Sequence, residues 1–188
     1  MLNKKFHRWP LFRLLALERY FDVPKLLEAM NGRDVPKKLG FWALPENLRE
    51  MTLGQRIQLI KQYEQGDLFY STFSILTKIP KWVVMIAPIG KIYPFVHKVL
   101  EDLKYRARRD EALNLPLTPE QEAAGVGSMN HGWFGLIDVI VQRSGGRYDH
   151  DEASKLPDIR VFEMLRIDTD RAKVQRRMTE IMTKKQSK

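Results

Sequence analysis

Apolar positions along this chain recur mostly at helical spacing. The clearest stretch is Leu115–Gly146, LPLTPEQEAAGVGSMNHGWFGLIDVIVQRSGG. Thr118 is a good N-cap, Pro119 falls at the first helical position, and Gln121 stands three residues after the cap, as in a capping box. Val126, Met129, Trp133, Leu136, Ile137 and Ile140 follow on one face. Beside them run Gly125, Ser128, Gly132 and Gly135, a stripe of small residues. A helix-interior Gly costs roughly 1 kcal/mol relative to Ala, so the stripe predicts a closely approaching backbone. The spacing predicts one long buried helix over about 118–143, stopped by Gly145–Gly146.

The rest of the chain takes its elements from the same periodicity. Pro10 opens a predicted helix to about Phe21, with Leu11, Leu14, Leu15 and Leu17 as its apolar content. Pro24 opens a short one, Lys25–Asn31, closed by Gly32. Arg33–Gly40 reads as a linker and Phe41–Glu50 as an irregular segment over the core. Thr52 and Gln55 repeat the capping-box spacing before a helix buried through Leu53, Ile57 and Ile60. Leu68–Lys78 is a further helix, carrying Phe69, Phe73 and Leu76. Ile79–Pro94 holds Pro80, Pro88 and Pro94, where regular helix is hard to sustain. Val83–Ile86 is short and apolar enough to be extended, without an obvious partner strand.

Phe95–Arg109 returns to helix, with Val96, Val99, Leu100 and Leu103 on one face. Arg147–Leu156 is a polar loop and Ile159–Ile167 a short helix. Asp168-Thr-Asp170 supplies the N-cap of a last helix, where Val174, Met178 and Ile181 form a narrow stripe. No sheet pattern, internal repeat, low-complexity tract or coiled-coil heptad run is recognisable. The expected class is mainly α: an irregular helical bundle around the long glycine-containing helix, with extended basic termini. Residues 1–40 form a basic arm with short helices, 41–158 a helical core, and 159–188 basic C-terminal helices.

Length and composition narrow the function classes. The 188 residues are 44% hydrophobic, which suits a folded core. The absence of Cys excludes disulfides, thiol chemistry and Cys-zinc sites. No signal peptide is predicted, since Arg13, Glu18 and Arg19 interrupt the N-terminal apolar run. The best membrane candidate, Trp82–Gly90, is nine residues with a proline, against about 20 needed for a span.

The net charge of +9 is unevenly spread. Residues 1–40 carry nine bases and four acids, and 159–188 carry the same numbers. Residues 91–109 carry six bases and two acids, whereas 110–158 carry three and nine. Basic ends and a basic helix therefore flank an acidic middle. Such a layout can meet nucleic acid, or join copies of one protein through opposite charges.

Candidate chemistry is sparse. His150 lies in Tyr148-Asp-His-Asp-Glu152 and His131 in the long stretch, but three or four convergent metal ligands are lacking, and Asp149 or Asp151 reads better as a turn cap. His131 and Asp138 read as contacts to a neighbour or water. Ser128 and Ser144 lack a nucleophile elbow. The glycines follow a helix cap rather than a strand, so a phosphate loop is excluded in favour of packing. No catalytic, cofactor-binding or metal residue is assigned.

The basic residues carry the stronger signal. Lys4, Lys5, Arg8, Arg106, Arg108, Arg109, Arg171, Lys173, Arg176, Arg177, Lys184 and Lys185 are candidates for phosphates or an acidic partner, with no base-reading motif. Part of this is local, because cations complement a helix C-terminus by about 0.3–1 kcal/mol each. Phe6, Trp9 and Phe12 suit stacking on bases or anchoring in a partner's groove. Together with Gly125, Ser128, Gly132, Trp133 and Gly135 they form the candidate partner and packing set.

Three stretches together resemble a known family. They are Leu44-Pro-Glu with Met51-Thr-Leu-Gly-Gln-Arg-Ile-Gln-Leu59, the proline-broken run Ile75–Pro94, and Leu117-Thr-Pro-Glu-Gln with Gly132-Trp-Phe-Gly135. Over roughly residues 44–143 the chain resembles small helical virion proteins of tailed phages, particularly ring or connector proteins of crAss-like phages. The resemblance implies a non-enzymatic head–tail joining protein, a ring of identical subunits between portal and tail enclosing the DNA channel. It implies partners in the portal and other tail proteins, a virion location after synthesis in the host cytoplasm, and no cofactor or membrane. Thr52-Leu-Gly-Gln55 and Gly132-Trp-Phe-Gly135 would transfer as packing elements. A DNA-facing role for the basic ends follows from charge alone. Tail-assembly chaperones share related helical patterns, and a sequence-non-specific nucleic-acid-binding module is the other alternative.

Overall fold

The computed structural model describes residues 8–12, 33–125 and 131–186. The part of the expected Pro10–Phe21 helix that follows Phe12, the expected helix Lys25–Asn31, and the residues Lys4, Lys5, Phe6, Val126, Ser128 and Met129 lie outside them. The described residues are mainly helical, as the periodicity requires. In chain order they form a hairpin, β1 (Lys38–Leu39) and β2 (Trp42–Ala43), then α1 (Leu53–Glu64), α2 (Phe69–Thr77) and α3 (Lys81–Ile86). There follow α4 (Ile89–Glu111), α5 (Pro119–Ala123), α6 (Gly132–Arg143), α7 (His150–Ser154) and α8 (Asp158–Gln186).

The chain divides into two compact units, one of Met1–Met51 with Gln55–Tyr105, the other of Thr52–Gly54 with Arg106–Lys188. In the first, Phe73 and Phe95 meet with ring centroids 5.2 Å apart at the centre of a cluster that includes Leu11, Leu39, Val84 and Ile92. Trp9 and Leu11 lie along the chain before α4. The Leu11 amide donates to Ala87 at 3.2 Å, and Ile89 donates to Trp9 at 2.8 Å. Where a linker was expected, Gly40 turns the chain at φ +62° and antiparallel β1 and β2 pair Leu39 with Trp42. The hairpin buries Leu39 and leaves Phe41 98% exposed.

The proline-broken run is more helical than expected. Pro80 and Pro88 sit just before α3 and α4, where a missing amide hydrogen is harmless. Pro94 lies inside α4 and is buried, so a single backbone bond is given up against a packed surface. Val83 and Val84, read as possibly extended, are buried within α3.

In the second unit, Thr52–Gly54 runs against the end of α7. Thr52 bridges Pro157, and the Leu53 amide donates to Leu156 at 2.9 Å. A Cβ on Gly54 would stand 3.1 Å from the Ser154 carbonyl oxygen, so this glycine permits a close approach. Leu53, Ile140, Ala153 and Val161 are buried around it. Ion pairs complete this core. Asp158 accepts from Arg106 at 2.6 Å and from Arg109 at 3.1 Å, and the Arg109 guanidinium lies 3.9 Å from the centre of the Phe162 ring.

Two helix assignments change. The expected helix over 118–143 is described as two, α5 and α6. Gly125 at φ +71° and Gly132 at φ +54° hold left-handed backbone, which ends one helix and flanks the start of the next. The Thr118–Gln121 capping box is present, with reciprocal bonds of 3.3 and 3.0 Å. Conversely, Asp168-Thr-Asp170 does not start a helix, since α8 runs through it unbroken. No Gly or Pro interrupts 158–186, and the Asp168 carboxylate accepts from Arg143 at 2.7 Å.

Candidate functional site

Half of the basic candidates, Arg171, Lys173, Arg176, Arg177, Lys184 and Lys185, lie on α8, where the charge pattern has a local reason. Asp158 lies in its first turn and Lys184 and Lys185 in its last, each sign matching the helix dipole. Glu163–Arg166 at 2.8 Å, with the looser Asp168–Arg171 and Asp170–Lys173 pairs at 3.9 and 3.8 Å, adds support at helical spacing. One face is tied into its unit. Val161 and Phe162 pack there, Thr169 donates to Leu113, and Arg176 donates to Pro116 at 2.6 Å and to Gln121 at 3.2 Å. An open groove of about 730 Å³ follows this side, between Pro116–Pro119 and the last turns.

The structure divides the twelve basic candidates. Lys4 and Lys5 lie outside the described residues. Arg8, Arg108, Arg171, Lys173, Arg177, Lys184 and Lys185 are exposed. Arg106 is withdrawn from a surface role because its side chain is 5% exposed and bound to Asp158. Arg109 is withdrawn too, held between Asp110, Asp158 and the Phe162 ring. Arg176 is half-buried and engaged with backbone. Counting bases in sequence cannot separate these roles, because the distinguishing carboxylate, Asp158, lies about fifty positions downstream.

The packing set also changes. Among the described residues Gly132 has open space where a Cβ would be, and the nearest atom to a Cβ on Gly135 is Cβ of His131, the residue before α6, at 2.7 Å. Gly132 sets backbone direction at φ +54°, and neither glycine has a described backbone against it. The glycine that has one is Gly54, within the Thr52-Leu-Gly-Gln55 stretch. Trp9 and Trp133 are half-buried, and Phe12 is 50% exposed.

His150 has partners that sequence spacing did not indicate. Its ring stacks on Phe134 at 5.1 Å, and Nε2 lies 3.6 Å from Asp138 Oδ1. Asp138 also accepts from Gln142 at 2.6 Å. Asp149 and Glu152 form the capping box of α7, so the acidic loop folds into a helix start, with Asp149 in the capping role. His131 precedes α6 and is exposed. Among the described residues no group of three or more His, Asp or Glu is placed to hold a metal, and no helix is long and apolar enough to cross a membrane.

What the arrangement offers is therefore surface: exposed bases on one long helix with apolar side chains between them. Val174, Met178 and Ile181, the expected narrow stripe, are 48–56% exposed, and Met182 beside them is 59% exposed. No family, characterised protein or solved structure matches this chain.

Proposed function

We propose that this chain is a non-enzymatic structural protein of a tailed-phage particle, a homo-oligomeric ring or connector subunit between portal and tail. The observation that supports it is the outer surface of α8. There Arg171, Lys173, Arg177, Lys184 and Lys185 are exposed beside apolar side chains, an arrangement suited to assembly contacts and to phosphates. The resemblance over residues 44–143 supplies the virion setting. In this reading the basic ends face DNA or an acidic neighbour, and the protein works through contact.

The test is the mass of the native assembly, measured alone and with a portal ring. A multimer that binds portal supports the proposal. A single subunit at micromolar concentration with no portal binding overturns it. Presence in purified particles separates the connector from a tail-assembly chaperone, which would be confined to infected cells.

A further inference from the structure

Charge is segregated along the middle of the chain. Residues 68–100 carry four lysines and no acid, whereas 110–142 carry five acids and no lysine or arginine. Each stretch also brings large apolar side chains to the surface of a helix whose other face is buried.

In the basic stretch that helix is α3. Val83 and Val84 are buried, while Trp82 and Ile86, four residues apart, share the outer face at 62% and 57% exposure. Phe12 joins them. The Leu11 amide donates to Ala87 and both residues are buried, so Phe12 and Ile86 leave neighbouring backbone positions towards solvent. Lys78 and Lys81 flank the start of α3, and Arg8 and Lys91 flank the contact that follows it; all four are exposed.

In the acidic stretch the helix is α6. Phe134 and Val139 are 66% and 48% exposed beside Asp138, while Ile140 is buried. The His150 contacts to Phe134 and Asp138 set the start of α7 against this face. Exposed Asp149, Asp151 and Glu152 join Asp138 there, against Arg147 and Lys155. The Arg143 guanidinium is taken up by Asp168.

We infer that the outer face of α3 in one copy docks head to tail on the α6–α7 face of a second copy. Trp82 and Ile86 meet Phe134 and Val139, and Lys78 and Lys81 meet Asp138 and the α7 acids. Charge disfavours the twofold alternatives, because each face repels its own kind. A face that fits a different face of the same chain generates a ring when the rotation closes. The inference rests on the ring reading for its choice of a second copy, and it names the surfaces such a ring uses.

Sedimentation of the full chain should show mass rising with concentration towards about 0.1 mM and falling again in about 0.5 M salt. Lys78→Glu with Lys81→Glu should weaken association by about tenfold, and so should Asp138→Lys with Asp151→Lys. Mixed in equal amounts, these two variants should associate again, because each offers the other a face of opposite sign. Ile86→Cys and Val139→Cys are made separately, since the chain has no Cys of its own. A short bis-maleimide should join these two variants to each other and neither to itself. Unchanged circular dichroism shows that each variant folds. A multimer in which the two thiols do not link, or link like to like, overturns the inference and leaves the ring reading standing. So does Trp82-dependent binding to duplex DNA or to phosphatidylglycerol vesicles without such linkage. Linkage without portal binding supports the inference while the virion reading fails. A chain that stays single at about 0.1 mM, even beside portal, overturns both.

Discussion

Removing the Asp158 carboxylate leaves two guanidinium groups without the anion they share. Arg106 and Asp158 are 5% and 1% exposed, so water cannot substitute. Asp158→Asn should lower stability by about 3–5 kcal/mol in urea unfolding. Arg143 and Asp168 are almost as close, at 2.7 Å, but 27% and 41% exposed, and Asp168→Asn should cost under about 1 kcal/mol. Burial, rather than distance, separates the two outcomes. Tyr63 gives a pH-dependent counterpart. Burial pushes its phenol up to about 12 from the ordinary 10.0, against the opposing hydrogen bond to Thr72 at 2.6 Å. Between those values the unfolded chain releases a proton that the folded chain retains. Stability present below pH 10 should therefore fall as pH rises towards 12, by about 2–3 kcal/mol. Thermal melts at pH 8, 10 and 11 should show Tyr63→Phe losing less over that window than the parent chain.

Two glycines at element boundaries matter for different reasons. Gly54 stands at the start of α1, where a Cβ would press on the Ser154 backbone oxygen at 3.1 Å. Gly54→Ala should destabilise by about 1–3 kcal/mol through overpacking, and Gly54→Asn by more. Gly132 has room for a side chain but holds φ +54°. Gly132→Ala should cost about 1 kcal/mol, and Gly132→Asn less, because Asn tolerates left-handed backbone. Denaturant midpoints of the four variants distinguish crowding from torsion. The element pattern shows where sequence reading reaches its range. The Thr118–Gln121 box was legible because its partners lie three residues apart. Asp168–Asp170 caps no helix, because α8 runs through it without a Gly or Pro, and the Asp168 carboxylate serves Arg143, twenty-five positions away.

For the whole molecule, binding to DNA is predicted to depend on exposed bases only. In the proposed reading, log K for duplex DNA falls by about 0.9 for each neutralised phosphate per unit of log salt. Arg177→Gln with Lys185→Gln should flatten that slope by up to about 1.8 in a fluorescence titration, with the unfolding midpoint little changed because both side chains are exposed. Arg106→Gln should do the reverse, lowering stability and leaving the slope of the folded fraction unchanged. A slope insensitive to these α8 bases would place any phosphate contact elsewhere on the chain.

The amino-acid order alone determined the mainly helical class, the α2 helix and the Thr118–Gln121 cap, since each depends on spacing within a turn or two. Tertiary structure alone decided which bases remain at the surface, that Gly54 rather than Gly132 admits a neighbour, and that Val174, Met178 and Ile181 face outward. Helical periodicity says that apolar residues share a face, but not whether anything covers it. Likewise a basic residue in sequence carries no mark of the distant carboxylate that neutralises it, because burial and ion pairing are fixed by which segments meet in space.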